Sequence, residues 1–236
     1  MSASSVRATT RGPIPDPSDG WSRAWDRYWS GHAPVGPSRP SRFVGWALER
    51  FHAAGIQSPR VLDAGCGPGR DLVWLAQNGC AVVGVDSSRV AVRLARTRLR
   101  KSGSNGRSRV VLADLIRFVR DEPQDRFDAV VAAATYQSLS VSELLRLFCE
   151  IHRILRPGGI HAYSVRSTTH PGAAEASEVA PNLPGGPVSS LTFFDRLLIE
   201  RLGKAWGTQI VAHEVEPGPS WYVIQRKQGP RGDGKA

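Results

Sequence analysis

Residues 61–71, with the sequence VLDAGCGPGRD, constrain the fold more than any other stretch of the chain. Their apolar start is bounded by Pro59 and by glycines, which indicates a buried strand ending at Asp63 rather than a helix. The glycines allow positive φ angles and a close approach of the backbone to a ligand. A helix that begins at Asp71 directs its free amides and its dipole to the same place. The stretch therefore predicts a strand, a ligand-binding turn and a helix.

The spacing of the glycines indicates which ligand the turn holds. Gly65, Gly67 and Gly69 form GxGxG, whereas dinucleotide folds use GxGxxG, and Arg70 stands where that third glycine would be. Asp63 lies two positions before the first glycine, where a carboxylate would repel a pyrophosphate but attract an ammonium group. The predicted ligand is nucleotide-like and carries a positive amine, as S-adenosylmethionine does, and a nicotinamide cofactor is disfavoured.

Two further carboxylates follow predicted strands. Asp86 ends the run 81–86 and follows Gly65 at about the twenty-residue spacing expected of a ribose ligand. Its two oxygens have enough lone pairs to accept both ribose hydroxyls. Asp114 ends a third strand, where it is expected to accept from an adenine amino group while Leu115 packs on the ring.

Five segments in order carry a family resemblance: VLDAGCGPG, GVDSS, ADLIRF, FDAVV and LRPGG. Together they resemble the class I S-adenosylmethionine-dependent methyltransferases from about residue 59 to the end of the chain. The form GPGRD at 67–71 is similar to the small branch of tellurite-resistance and thiopurine-type enzymes. Cys66 is interpreted as a small filler of the turn, with a reactive thiol as the alternative. The predicted cofactor contacts are Asp63, Gly65, Cys66, Gly67, Gly69, Asp86, Ser87, Asp114, Leu115 and Thr135.

The resemblance implies a three-layer αβα, Rossmann-like fold with a seven-stranded sheet. Residues 209–216 and 221–227 flank the short turn 217–219, which permits only an antiparallel hairpin. The sheet is therefore expected to be mostly parallel with one antiparallel strand in a C-terminal hairpin. Thr192 is expected to cap the last helix.

The chain of 236 residues suits one α/β domain, predicted at 21–228, with disordered tails at 1–20 and 229–236. Its three cysteines have no CxxC spacing, which indicates a reducing compartment and no structural metal. No apolar run reaches the roughly 18 residues of a membrane span. A cytoplasmic protein that makes no membrane contact is the expectation.

An aromatic helix precedes the glycine motif. Trp21, Trp25, Tyr28 and Trp29 fall on one helical face, and a proline-punctuated loop follows to residue 40. Such a face either packs as core or closes over a ligand as a lid, and both interpretations remain open for 21–40.

The acceptor side is less legible. Ligands of open α/β sheets bind beyond the carboxyl ends of the strands, so residues 134–138 should border the methyl group. The chain lacks the NPPY, DPPY and Pro-Cys signatures of enzymes that methylate bases. Tyr136 is a candidate acceptor contact or base, or a wall residue with a satisfied hydroxyl. His170, in a long loop, is a candidate base or acceptor ligand, or an ordinary loop histidine. The acceptor candidates are Tyr28, Tyr136 and His170.

The formal charge of +10 leaves a second class of substrate open. Arg89, Arg93, Arg96 and Arg100 are spaced four, three and four residues apart, as in the solvated stripe of a helix. The same stripe would suit RNA or a protein substrate. The primary prediction is methyl transfer to an O, N or S atom of a small molecule, and the alternatives are an RNA or protein methyltransferase and a non-catalytic S-adenosylmethionine-binding scaffold.

Overall fold

The computed structural model describes residues 21–33, 39–104, 106–170, 191–204, 210–215 and 220–228. The seven strands are β1 (Arg60–Ala64), β2 (Ala81–Asp86), β3 (Arg109–Leu112), β4 (Phe127–Ala133), β5 (Leu155–Arg166), β6 (Ile210–Val215) and β7 (Ser220–Arg226). The helices are α1 (Trp21–Gly31), α2 (Arg42–Ala53), α3 (Arg70–Gln77), α4 (Arg89–Lys101), α5 (Leu115–Asp121), α6 (Val141–Ile154) and α7 (Arg196–Gly203), with a 3₁₀ turn at Tyr136–Ser138.

The strands form one sheet in the order β3-β2-β1-β4-β5-β7-β6. The pairs from β3 through β5 are parallel, and β7 runs antiparallel to both β5 and β6. The predicted seven-stranded sheet with one antiparallel strand in a C-terminal hairpin is therefore confirmed. The strand order reverses between β1 and β4, which places the ligand crevice of this fold class at their carboxyl ends.

Two hydrophobic layers flank the sheet and confirm the αβα arrangement. On one face, α2, α3 and α4 bury residues such as Phe51, Leu72 and Val92 against β1 and β2. On the other face, α5, α6 and α7 pack through residues such as Phe148 and Ile199. The middle strands are apolar on both faces, as expected of a parallel sheet covered by helices on both sides.

Five of the described helices, α2, α4, α5, α6 and α7, begin at side-chain caps that satisfy an early amide. The predicted capping box at Ser140 and Glu143 is present at the start of α6. The prediction that Thr192 caps the last helix is wrong, because Asp195 accepts from the amide of Leu198 and α7 begins after it. Thr192 instead donates through Oγ1 to the Leu139 carbonyl at 2.6 Å, which ties this segment to the turn after β4.

Several sequence predictions lie outside the described residues. They are the tails 1–20 and 229–236, the part 34–38 of the possible lid, and most of the long loop after β5, residues 171–190. Among the helices that the structure describes, none is long and apolar enough to cross a lipid bilayer.

Gly84 in β2 offers a test of packing between the sheet and α3. A Cβ at this position would overlap Leu72 Cδ1 and lie 3.0 Å from Cys66 Sγ. We expect Gly84→Ala to lower the free energy of unfolding by about 1–3 kcal/mol, measured by urea denaturation.

Gly45, inside α2, is the matched control, because a Cβ there meets nothing within 4 Å. Gly45→Ala should stabilise the protein by about 0.5–1 kcal/mol through the helix propensity of alanine. Destabilisation of both variants to the same extent would contradict the packing described for Gly84.

Candidate cofactor and acceptor site

The glycine loop after β1 has the backbone that its sequence predicts. Gly65, Gly67 and Gly69 have φ angles of 73°, 51° and 83°, which favour glycine at all three positions. A Cβ on Gly65 would lie 2.5 Å from Thr135 Cγ2, and one on Gly69 would lie 2.9 Å from Ala95 Cβ. The loop therefore passes close to the end of β4 on one side and to α4 on the other.

Asp63, near the carboxyl end of β1, is a buried carboxylate that lacks a hydrogen-bond partner on one oxygen in the part of the chain that the structure describes. It is 2% exposed, and its Oδ2 atom has no hydrogen-bond partner among the described residues. Burial raises its pKa well above the ordinary value, and the negative charges of Asp71 and Asp86 add to the effect. Such a carboxylate is stabilised by a cation placed next to it. The residues present thus fit the positively charged amine that the sequence predicts.

Asp86, at the end of β2, is already oriented by the loop. Its Oδ2 accepts from the Gly67 amide at 2.8 Å, and its Oδ1 accepts from the Ser88 amide at 2.8 Å. Burial raises its pKa, while the hydrogen bonds from these amides and from Ser87 lower it. Each carboxylate oxygen keeps a further lone pair for a ribose hydroxyl.

Asp114 and Leu115 lie at the start of α5. Asp114 caps this helix, and its Oδ1 accepts from the Arg117 amide at 2.8 Å. One carboxylate oxygen is thereby committed to the backbone, which leaves Oδ2 for the predicted bond to an adenine amino group. Leu115 is partly buried against the hydrophobic core. Their roles as adenine contacts remain predictions.

Cys66 lies inside the loop but is not arranged as a nucleophile. Its Sγ is 3.7 Å from the Gly67 carbonyl oxygen, and the residue is 8% exposed. Burial raises the pKa of the thiol well above its ordinary value, with smaller contributions from Asp63 and Asp86. The thiolate is the reactive form, so these surroundings favour the filler interpretation.

The turn after β4 approaches β1 through a strained residue. Ala134 has a φ of +55°, a left-handed conformation that is uncommon for alanine. Thr135 then donates through Oγ1 to the Ala64 carbonyl at 2.9 Å. The side chain of Thr135 is thus fixed against the first glycine of the loop, and its contact with the cofactor stays a prediction.

Tyr136 does not contact this crevice, which corrects its prediction as an acceptor or catalytic residue. Its side chain is 0% exposed, and its hydroxyl is 2.7 Å from His161 Nε2. Burial raises its pKa well above the ordinary value, which argues against a base. The ring packs against Phe148 and Tyr163 in the core under α6. The satisfied hydroxyl agrees with the wall interpretation, on the core side of the turn.

His170 and Tyr28 stay acceptor-side candidates. His170 follows the carboxyl end of β5, and its amide donates to the Ser167 carbonyl at 3.0 Å. Burial lowers the pKa of its imidazole, and the positive charge of Arg166 lowers it further. Tyr28, in α1, stacks on His32 at 4.4 Å between ring centroids.

Helix α1 lies over the glycine loop. Trp29 Cζ2 is 3.4 Å from the point that a Cβ on Gly67 would occupy. The helix is fixed there by Asp26, whose Oδ1 accepts from Ser88 Oγ at 2.6 Å and from the Val90 amide at 3.0 Å. The aromatic face of α1 is evident in the sequence, but the contact between Asp26 and Ser88 is not, because nothing local marks a contact between residues 62 positions apart.

Asp71 is a second residue that the sequence analysis did not place in a contact. Its carboxylate accepts from the Ser41 amide at 2.7 Å and from Ser41 Oγ at 2.8 Å. Arg70 Nε lies 3.2 Å from the same carboxylate. The GPGRD segment thereby joins the start of α3 to the start of α2. The adjacent charged residues Arg70 and Asp71 were the feature of the sequence that could have indicated this contact.

Residues 61–159, which include the loop, Asp86 and Asp114, match the family model of a methyltransferase domain. Residues 61–159 form a class I S-adenosylmethionine-dependent methyltransferase domain. The likeness to tellurite-resistance and thiopurine-type enzymes stays a prediction.

Two curated relatives illustrate the sequence similarity of this methyltransferase domain. An uncharacterized methyltransferase of Synechocystis is 34% identical over 121 residues, which cover 48% of this chain and 53% of the relative. The ubiquinone biosynthesis O-methyltransferase of Pseudomonas aeruginosa is 31% identical over 137 residues, or 58% of this chain and 55% of that protein. The chain spans about half the length of these relatives.

Solved methyltransferase structures share the fold over most of the chain. The magnesium protoporphyrin IX methyltransferase of Synechocystis, crystallised with bound S-adenosylmethionine, superposes with a TM-score of 0.67. The match covers 93% of this chain and 100% of that one at 14% sequence identity. This likeness extends the fold assignment beyond the residues of the family model.

Replacement of Asp63 tests whether its buried carboxylate binds the cofactor. We expect Asp63→Asn to raise the melting temperature of the ligand-free protein, because it removes a buried charge. It should also weaken S-adenosylmethionine binding at least about tenfold, or about 1.4 kcal/mol. Calorimetry of melting and of binding measures the two effects.

The effect on stability should depend on pH. The folded-state pKa of Asp63 is raised, so its ionised form destabilises the fold above that pKa and protonation removes the penalty as the pH falls. The melting-temperature gain of Asp63→Asn should therefore shrink on acidification. Asp121→Asn, at an exposed carboxylate, is the control. Unchanged cofactor affinity in Asp63→Asn would contradict the role given to Asp63.

Proposed function

We propose that the chain transfers a methyl group from S-adenosylmethionine to an oxygen, nitrogen or sulfur atom of a small molecule. The observation that carries the proposal is the buried Asp63 carboxylate with an unpartnered oxygen, beside the glycine loop and Asp86. Two acidic groups around a glycine-rich turn suit a ligand with a positive amine and a ribose. The family match of residues 61–159 supports the same cofactor.

The chemistry of the cofactor requires little of the protein beyond positioning. When bound, S-adenosylmethionine supplies a methyl group on a positively charged sulfur, which is a good leaving group. Alignment of two reactants can lower a barrier by about 7–11 kcal/mol in favourable intramolecular cases. Asp63 and Asp86 would hold the amine and ribose ends, and Thr135 would border the transferred group. Helix α1 would exclude water from above the loop.

The acceptor is proposed to lie between α1 and the carboxyl ends of β4 and β5. Burial and the positive charge of Arg166 lower the pKa of His170. Its imidazole is the proposed base that accepts a proton from an acceptor hydroxyl, amine or thiol. Tyr28 offers an aromatic surface on the α1 side. The names of the similar proteins, a ubiquinone biosynthesis O-methyltransferase and a protoporphyrin methyltransferase, support a small-molecule acceptor. A cytoplasmic location stays a prediction.

Calorimetric titration tests the cofactor assignment. The wild-type protein should bind S-adenosylmethionine and S-adenosylhomocysteine but not NAD. Asp86→Ala should weaken both interactions at least about tenfold, since it removes two hydrogen bonds to a charged group. Asp121→Ala, the exposed control, should bind like wild type. Binding of NAD alone would overturn the proposal.

Radiolabelled methyl transfer then separates an enzyme from a scaffold. Small phenols, amines and thiols serve as acceptors, with His170→Gln to test the proposed base. Cofactor binding without transfer to any acceptor class would favour the scaffold. Abolished transfer at neutral pH in His170→Gln, with unchanged cofactor affinity, is the expected result.

A second candidate function follows from a concentration of positive charge around α4. Residues 89–113 contain eight arginines and lysines and no acidic residue. A cavity of about 240 Å³ lies between α4 and the end of the edge strand β3. Its lining consists of Arg89, Val92, Arg93, Arg96, Arg100 and Leu112. None of these arginines takes part in an ion pair within the described parts of the chain. This surface suits the phosphates of an RNA acceptor.

Salt dependence distinguishes the two candidates. For an RNA acceptor, Arg93→Glu combined with Arg100→Glu should weaken RNA binding and reduce the slope of log affinity against log salt by about one for each phosphate that is no longer bound. Arg146→Glu with Arg201→Glu, on exposed faces of α6 and α7, is the matched control. For a small-molecule enzyme, neither pair changes methyl transfer. Filter binding of a short RNA at two salt concentrations measures the difference.

A further inference from the structure

Helix α1 is joined to the cofactor loop by a chain of hydrogen bonds. The Asp26 carboxylate accepts from Ser88 Oγ at 2.6 Å and from the Val90 amide at 3.0 Å. The Ser88 amide donates to Asp86 Oδ1 at 2.8 Å. The other oxygen of Asp86 accepts from the Gly67 amide at 2.8 Å. Groups from α1, the turn before α4, the end of β2 and the glycine loop thus form one connected set.

Ser88 connects Asp26 to Asp86, and its hydroxyl both donates and accepts a hydrogen bond. It accepts from the Ala91 amide at 3.1 Å, which caps α4, and it donates to Asp26. The residue is 0% exposed with α1 in this position. The Val90 amide is one of the first amides of α4, which have no partner within the helix. A carboxylate from a distant helix therefore completes the start of α4.

The charge of Asp26 also acts on Asp86 and on the start of α4. Burial raises the pKa of Asp86, and the negative charge of Asp26 raises it further. The positive end of the α4 dipole offsets part of that cost for both groups. Asp26 does not hydrogen-bond to Asp86, so its influence on the orientation of Asp86 passes through Ser88.

We propose that Asp26 is a positioning residue for the cofactor. By fixing Ser88, it holds the amide that orients Asp86 Oδ1, so that the carboxylate faces the glycine loop and a ribose. Trp29, three residues further along α1, lies over Gly67 in the same docked position. Docking of α1 and the affinity for the ribose are thereby coupled. The inference rests on the proposed role of Asp86 as the ribose acceptor.

The test compares two ligands that differ only at the ribose. Binding of S-adenosylhomocysteine and of its 2′-deoxy analogue is measured by calorimetry for wild type, Asp26→Ala and Asp26→Asn. Asp26→Ala should weaken S-adenosylhomocysteine about tenfold, the order expected for hydrogen bonds to a charged group. Asp26→Asn, which keeps an acceptor oxygen but no charge, should weaken it about threefold. In both variants the wild-type preference for ribose over 2′-deoxyribose should shrink.

The ratio of the two affinities separates positioning from a purely structural role. If Asp26 only held α1 over the loop and had no effect on Asp86, Asp26→Ala would weaken both ligands equally and leave the ratio unchanged, which would overturn the proposal. Wild-type affinities in Asp26→Ala would also overturn it. If Asp26→Ala does not fold by circular dichroism, the ratio in Asp26→Asn decides. Glu49→Ala, at an exposed carboxylate of α2, is the matched control and should bind both ligands like wild type.

Asp86→Ala distinguishes failure of this inference from failure of the proposed function. Weak binding by Asp86→Ala with normal binding and a normal ratio in Asp26→Ala would refute the positioning role alone. Normal binding of S-adenosylhomocysteine by Asp86→Ala would refute the role of Asp86 and, with it, the inference about Asp26. Weak binding by both, with a reduced ribose preference in Asp26→Ala, is the expected result.

Discussion

The electrostatic cost of Asp63 is the constraint on which the rest of the site depends. A carboxylate that is 2% exposed and has an unpartnered oxygen destabilises a ligand-free fold, and two further aspartates raise its pKa. The surrounding core of parallel strands and two helical layers must supply the stability that this arrangement removes. The same arrangement, with Asp86 close by, creates a negative site that a cationic nucleotide derivative neutralises. Stability and binding are thus opposed at one residue.

The glycine loop determines the shape of this negatively charged site. Gly65 permits the approach of Thr135 from β4, and Gly69 permits the approach of α4, so side chains at either glycine would separate the elements that border the ligand. Asp71 extends the arrangement by joining the start of α3 to Ser41 at the start of α2. Short-range backbone requirements and long-range contacts therefore coincide within a few residues, which explains why this stretch is so readable in the sequence.

The features of the fold that depend on neighbouring residues could be predicted from the sequence. The strands β2 and β4, the three glycines and the capping box at Ser140 follow from periodicity and side-chain chemistry within a few positions. The sequence left the role of Tyr136 open, because it shows that a turn follows β4 but not toward which side of the sheet the tyrosine ring points. The contact between Asp26 and Ser88 could not be predicted because it depends on how α1 docks on the rest of the domain.

Helix α1 has a consequence for how the functional unit should be delimited. The family match begins at residue 61, yet the hydrogen bonds that complete the start of α4 come from Asp26, and the ring over Gly67 comes from Trp29. A recombinant fragment cut at the boundary of the matched domain would retain the glycine loop and Asp86 but lose helix α1, which covers them. Fragments for ligand screening, and affinity tags placed upstream of Trp21, should therefore preserve this helix and its docked position.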